Sequence, residues 1–101
     1  MKIEIIKSPS KGTVDMLMRR IGNGISKDIV STDAVGLVQG AIIDMICATD
    51  IAEKAADVKV LDIRGNCPQN AIMIAIFGDT SSVESAISAI RLDLEKEKNL
   101  C

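Results

Sequence analysis

Charged and apolar side chains alternate through Lys2-Ile3-Glu4-Ile5, so residues 1–7 predict a strand with one face in water. Ser8-Pro9-Ser10-Lys11-Gly12 interrupts the alternation, and the period then lengthens. Val14, Leu17, Met18 and Ile21 share one face of a short helix that Thr13 can cap. Gly22-Asn23-Gly24 stops this helix, residues 25–30 suggest one further turn, and Ala34 to Val38 reads as a short strand. The clearest helix runs from Ala41 to Asp57. Ile42, Met45, Ile46, Thr49 and Ala56 lie along one stripe, and Ile43, Cys47, Ile51 and Ala55 along the next. So wide an apolar arc predicts that this helix meets a sheet and something else besides. Cys47 inside the arc reads as core filling, because free cysteine is among the most buried residue types.

Two apolar, β-branched runs follow, Val58 to Ile63 and Ala71 to Phe77, with Arg64-Gly65-Asn66-Cys67-Pro68-Gln69 between them. A loop of this length holding Gly, Asn and Pro joins two strands as a hairpin. Gly65 lets the backbone turn, Pro68 fixes the next φ, and its ring pushes Cys67 toward extended geometry. The thiol is thus displayed on a stiff protrusion. Beyond Gly78-Asp79, Ser81 and Glu84 fit a capping box, and Asp79 adds negative charge at the helix start. Val83, Ala86, Ile87, Ile90 and Leu94 then share one face of a helix reaching about Lys98, in which Arg91 and Glu95 are spaced as an i,i+4 pair. Residues 95–98 read as a solvated helix end, and Cys101 carries no evident function.

In order, residues 34–98 read strand, helix, strand, strand, helix. A ferredoxin-like βαββαβ unit needs one more strand after the last helix, and this chain carries its spare strand at the front. The fold class expected is α/β in the α+β sense: a circularly permuted ferredoxin-like domain, an antiparallel sheet with helices packed on it.

Composition narrows the function. With 101 residues the chain is expected to form a single domain, residues 1–101. Its net charge of −2, no basic run and one aromatic, Phe77, argue against nucleic acid, since neither phosphate binding nor base stacking has its side chains. No apolar run is long enough for a membrane span, and Glu4 comes too early for a signal peptide. Three cysteines, Cys47, Cys67 and Cys101, are an odd number, and free thiols in a reducing cytoplasm are expected. Histidine is absent, which removes the Ser-His and Cys-His pairs and the imidazole ligands of zinc. The chain is not expected to be an enzyme.

From Ala34 onward the sequence resembles a bacterial microcompartment shell domain. Ala34-Val35-Gly36-Leu37-Val38 resembles the family's opening strand, Asp50-Ile51-Ala52-Glu53-Lys54-Ala55-Ala56-Asp57-Val58 its D-x-x-x-K-A-A-x-V helix end, and Gly78-Asp79 with Val83 and Ala86 its G-D-x-x-x-V-x-x-A helix entry. The N-terminal third resembles the permuted subfamily, in which elements that normally close the domain come first. The resemblance implies a homohexamer that tiles with other shell proteins in a cytoplasmic microcompartment, with the loop Gly65 to Gln69 lining its central pore. The string Gly65-Asn66-Cys67-Pro68-Gln69 is similar to the G-x-C-P-Q signature of shell proteins from glycyl-radical-enzyme compartments. Those bind an iron–sulfur cluster, so the resemblance implies Cys67 as ligand of a cluster, [4Fe–4S] by type, shared between subunits and suited to electron transfer across the shell. A cubane wants a thiolate at each iron, which one Cys67 cannot supply but a ring of them can. Two other functions fit the same residues: a shell hexamer whose empty pore passes small metabolites, and a ferredoxin-like regulatory domain that binds an effector between subunits.

Overall fold

The structure, a computed structural model, describes residues 1–21, 33–63 and 71–94. The further turn at 25–30, the loop Gly65 to Gln69, Glu95 and Cys101 therefore lie outside the described residues. The elements follow as β1 (Lys2–Lys7), α1 (Lys11–Ile21), β2 (Ala34–Ala41), α2 (Ile42–Ala55), β3 (Lys59–Ile63), β4 (Ala71–Gly78) and α3 (Thr80–Leu94). All seven stand where the pattern of side chains predicts an element. The main difference is β2, which runs on to Ala41 because each residue from Ala34 to Ala41 finds a partner on β4.

The four strands form one sheet in the order β1-β2-β4-β3, every neighbouring pair antiparallel. This is the strand order of the βαββαβ unit, with β1 taking the edge that the missing last strand would occupy, beside β2. β1 is paired along its length, from Lys2↔Gln39 to Lys7↔Ala34, and Ser8 N–H donates to the Asp33 carbonyl at 2.9 Å beyond the last rung. The permutation expected from the order of elements is thus realised as sheet topology.

Because side chains alternate across a strand, each face of the sheet has its own cluster. On one face α2 and α3 pack over Ala34, Val38, Ile74 and Ile76, adding Met45, Ala48, Ile51, Ala52, Val83, Ala86, Ile87 and Ile90. Gly36 permits the closest approach: a Cβ there would lie 3.0 Å from Ile87 Cδ1 and 3.2 Å from Val83 Cγ1. On the other face α1 lays Leu17 and Ile21 on Val35, Ile63, Ala75 and Phe77.

Both predicted caps shift by a few residues. Ser10, not Thr13, caps α1: its hydroxyl accepts the Thr13 N–H at 3.2 Å, which starts the helix at Lys11. For α3 the cap is Asp79 and not the Ser81–Glu84 box, because Asp79 Oδ1 accepts the Ser82 N–H at 2.8 Å and the Ser81 hydroxyl at 3.1 Å. Glu84 is left free to meet Lys7 of β1, at 3.4 Å.

α2 departs from its predicted stripes. The line that reaches the core is Met45, Ala48, Ile51 and Ala52, while Ile42, Ile43 and Ile46 are 38%, 72% and 63% exposed. One helix can turn about a third of its circumference to a sheet and a neighbouring helix, and the 45-48-52 line takes that position. Thr49 is half-buried, and its hydroxyl donates to the Met45 carbonyl at 2.9 Å.

Candidate functional site

The antiparallel pairing of β3 with β4 bears out the hairpin, from Lys59↔Phe77 to Ile63↔Met73. The segment carrying Gly65, Asn66, Cys67, Pro68 and Gln69 is therefore spanned by two paired strands, although these residues lie outside the described ones. The register shows what shares that end of the sheet. Lys2 pairs with Gln39, Ala41 with Ala71 and Ile63 with Met73, so β1 begins there, β2 passes into α2 there, and the hairpin loop leaves from there.

Among the described residues, this end of the sheet is open on the face that carries α1. Lys2 and Glu4 of β1, Leu37 and Gln39 of β2 and Met73 of β4 line a cleft of about 240 Å³. Leu37 and Met73 are half-buried against the α1 cluster and make its floor, while Lys2, Glu4 and Gln39 are exposed and make its rim. On the opposite side stand the exposed Ile42, Ile43 and Ile46 of α2, with Met1 49% exposed. Met1 lies over Gly40, where a Cβ would come within 3.8 Å of Met1 Cγ and 3.1 Å of Met45 Cε. Sequence reasoning missed the cleft. The alternation at Lys2 and Glu4 marks a polar face, but the register alone puts that face beside Leu37 and Met73.

Two expectations about cysteine change. Cys47 is half-buried rather than core filling, because it flanks the buried line of α2 instead of belonging to it. It is also disulfide-bonded, against the expectation of free thiols. Cys67 and Cys101 lie outside the described residues.

Among the described residues no three His, Cys, Asp or Glu side chains gather as metal ligands. A single thiolate per chain fits an iron–sulfur cluster only when several chains contribute. Among the described residues, the carboxyl whose acidity is shifted is that of Asp79. The Ser82 backbone N–H, then the Ser82 and Ser81 hydroxyls, hold its carboxyl below the usual carboxylate value. That belongs to helix capping and lies at the far end of the sheet from the hairpin loop. No helix among the described residues is long and apolar enough to cross a membrane.

Comparison with known proteins agrees with this geometry. The family model described as the BMC domain matches residues 34–101. Among solved structures, the ligand-free GrpU microcompartment shell protein from Clostridiales bacterium 1_7_47FAA is 48% identical, with a TM-score of 0.67 over 90% of this chain and 88% of that one. The ligand-free GrpU microcompartment shell protein from Pectobacterium wasabiae is 33% identical, with a TM-score of 0.66 over 89% of this chain and 99% of that one. The fused permuted hexameric shell protein MSM0275 from the RMM microcompartment shares the fold at 19% identity and a TM-score of 0.66, matching 95% of this chain and 46% of that longer one. No curated protein matches. With its shell-domain match over more than half its length and β1 filling the edge of the missing last strand, the chain belongs to the BMC-domain family of microcompartment shell proteins, whose members are structural.

Proposed function

We propose that this shell protein works as a homohexamer within a microcompartment shell, together with other shell proteins, and that its six hairpin loops offer Cys67 to a shared iron–sulfur cluster at the central pore. The observation that carries the reading is the hairpin. Residues 65–69 spell Gly-Asn-Cys-Pro-Gln between two strands of the family's fold, a place where ring symmetry repeats one thiol around an axis. As residue types, Gly65 and Asn66 suit a turn and Pro68 restricts the backbone beside Cys67. Bound there, a [4Fe–4S] cluster would supply one-electron transfer across the shell, as the likeness to glycyl-radical-enzyme compartments suggests. Six thiols exceed the four that a cubane takes, so some loops would hold theirs unligated.

The test is anaerobic reconstitution of wild type, Cys67→Ser and Cys47→Ser, followed by iron and sulfide analysis on the assembled protein. With neither Trp nor Tyr in the chain, brown absorbance reports a cofactor directly. Cys67→Ser is expected to lose iron and sulfide while the ring persists, since a serine alkoxide is a poor soft ligand. Cys47→Ser, which also removes the disulfide of Cys47, is expected to keep its metal when all proteins are fully reduced before reconstitution. Full iron in Cys67→Ser overturns the assignment, and a wild-type ring that takes up no iron favours an open pore for small metabolites.

A further inference from the structure

We infer that neighbouring subunits meet head to tail, with Ile43 and Ile46 of α2 on one subunit seated in the cleft over Leu37 and Met73 of the next, and Asp44 of the first meeting Lys2 of the second. The inference rests on the hexameric reading above and names the contact that would build it. A closed ring needs a heterologous interface, in which two different patches of one chain are complementary. The structure presents two such patches. One is convex and apolar: Ile43 and Ile46, 72% and 63% exposed, lie one turn apart on α2, with Ile42 beside them. The other is concave, a cleft of about 240 Å³ with a floor of Leu37 and Met73. They lie on different sides of the sheet, so a chain cannot satisfy both by itself.

Charge sets the pairing. Asp44 stands in the first turn of α2 between Ile43 and Met45, and Lys2 stands on the rim of the cleft. Among the described residues the ion pairs are Lys7–Glu84, Lys11–Asp15 and Lys54–Asp50, which leaves both Asp44 and Lys2 without one. Glu4 lies one step farther along β1, away from the end where β2 passes into α2, so the ammonium is the charge nearer that end. Bringing Asp44 against Lys2 fixes the register of the contact as well as adding attraction.

Oligomeric state by light scattering and native mass spectrometry tests this on the full chain. Ile46→Asp puts a charge on the convex patch, and Gln39→Trp fills the cleft from its exposed rim. Both sites are exposed, so circular dichroism should stay near that of wild type, with Ile43→Lys as a second variant of the patch. Each is expected to abolish the ring. The reversals Lys2→Asp and Asp44→Lys should each raise the concentration for half-assembly at least about 5-fold, and the double reversal should restore it. A folded Ile46→Asp or Gln39→Trp that remains hexameric overturns the inference and leaves the shell reading intact. A wild-type chain that forms no ring overturns the shell-hexamer reading itself. Single reversals without effect, or a double no better than the singles, overturn the Lys2–Asp44 pairing.

Discussion

The two faces of the sheet are finished to different degrees. The face under α2 and α3 is closed: Val38, Met45, Ile76, Val83 and Ile90 are wholly buried, and Gly36 lets α3 settle within contact of β2. The face under α1 is closed over one half, around Phe77, Val35 and Ile63, and open over the other, where Leu37 and Met73 floor a cleft. Among the described residues α1, eleven residues long, is the helix on this face, and it is too short to cover four strands. The difference separates two tasks within one small domain. The first face holds the fold together, and the open half of the second leaves apolar surface for a neighbour, as expected of a subunit built to assemble.

The comparison can be broken most sharply by truncation. Ile76→Ala on the closed face removes a fully buried side chain and should cost about 2–5 kcal/mol in chemical denaturation. Leu37→Ala on the open face, already half-exposed to the cleft, should cost clearly less in the isolated chain. Equal losses would mean that the open face carries as much of the fold as the closed one. Next comes Gly36→Val. Its branched side chain would press on Ile87 and Val83, and overpacking of this kind costs about 1–3 kcal/mol. An unchanged denaturation midpoint would show that α3 yields more easily than its contacts suggest.

Smaller still is the expected effect of Ile43→Asp on the folded chain, within about 0.5 kcal/mol at an exposed position, although assembly should suffer severely. A large loss of stability in the monomer would place Ile43 in the fold rather than in a contact. The smallest effect is electrostatic. Asp79 has its carboxyl acidity raised by the Ser82 N–H and the Ser82 and Ser81 hydroxyls, so its folded pKa lies below the ordinary 3.8. Its contribution is then complete above 3.8 and disappears as the pH falls through the lower folded value. Asp79→Ala should therefore unfold slightly more easily than wild type at neutral pH, and the two curves should converge in acid. A gap that stays constant down to low pH would rule out the carboxylate as its source.

Much of this was legible from residue order. Alternation in residues 2–5 marks β1, the 14-17-18-21 spacing marks α1, and the β-branched runs around the Cys67 loop mark the hairpin. Those signals are local, because a strand or an amphipathic helix must repeat its apolar positions at its own period. The strand at the front, ahead of a strand-helix-strand-strand-helix order, points to a permuted unit for the same reason, and its pairing beside β2 agrees. Caps were less legible: Ser10 and Thr13 both suit an N-cap, as do Asp79 and Ser81, and hydrogen bonds of 3.2 Å and 2.8 Å select one of each pair.

The sequence by itself determined the elements, their order and the pairing of β3 with β4 as a hairpin, because each rests on the period or turn chemistry of contiguous residues. It could not determine which isoleucines of α2 are core. Ile42, Ile43 and Ile46 are as apolar as Ile51, but α3 and the sheet approach the helix from one direction, and that direction is a tertiary fact. Nor could it reveal the cleft, whose five residues come from three strands brought side by side by the β1–β2 and β2–β4 registers. A shift of one residue in either register would turn the strand over and bury a different set of side chains, so pairing across the sheet, and not the order of residues along it, made the open face.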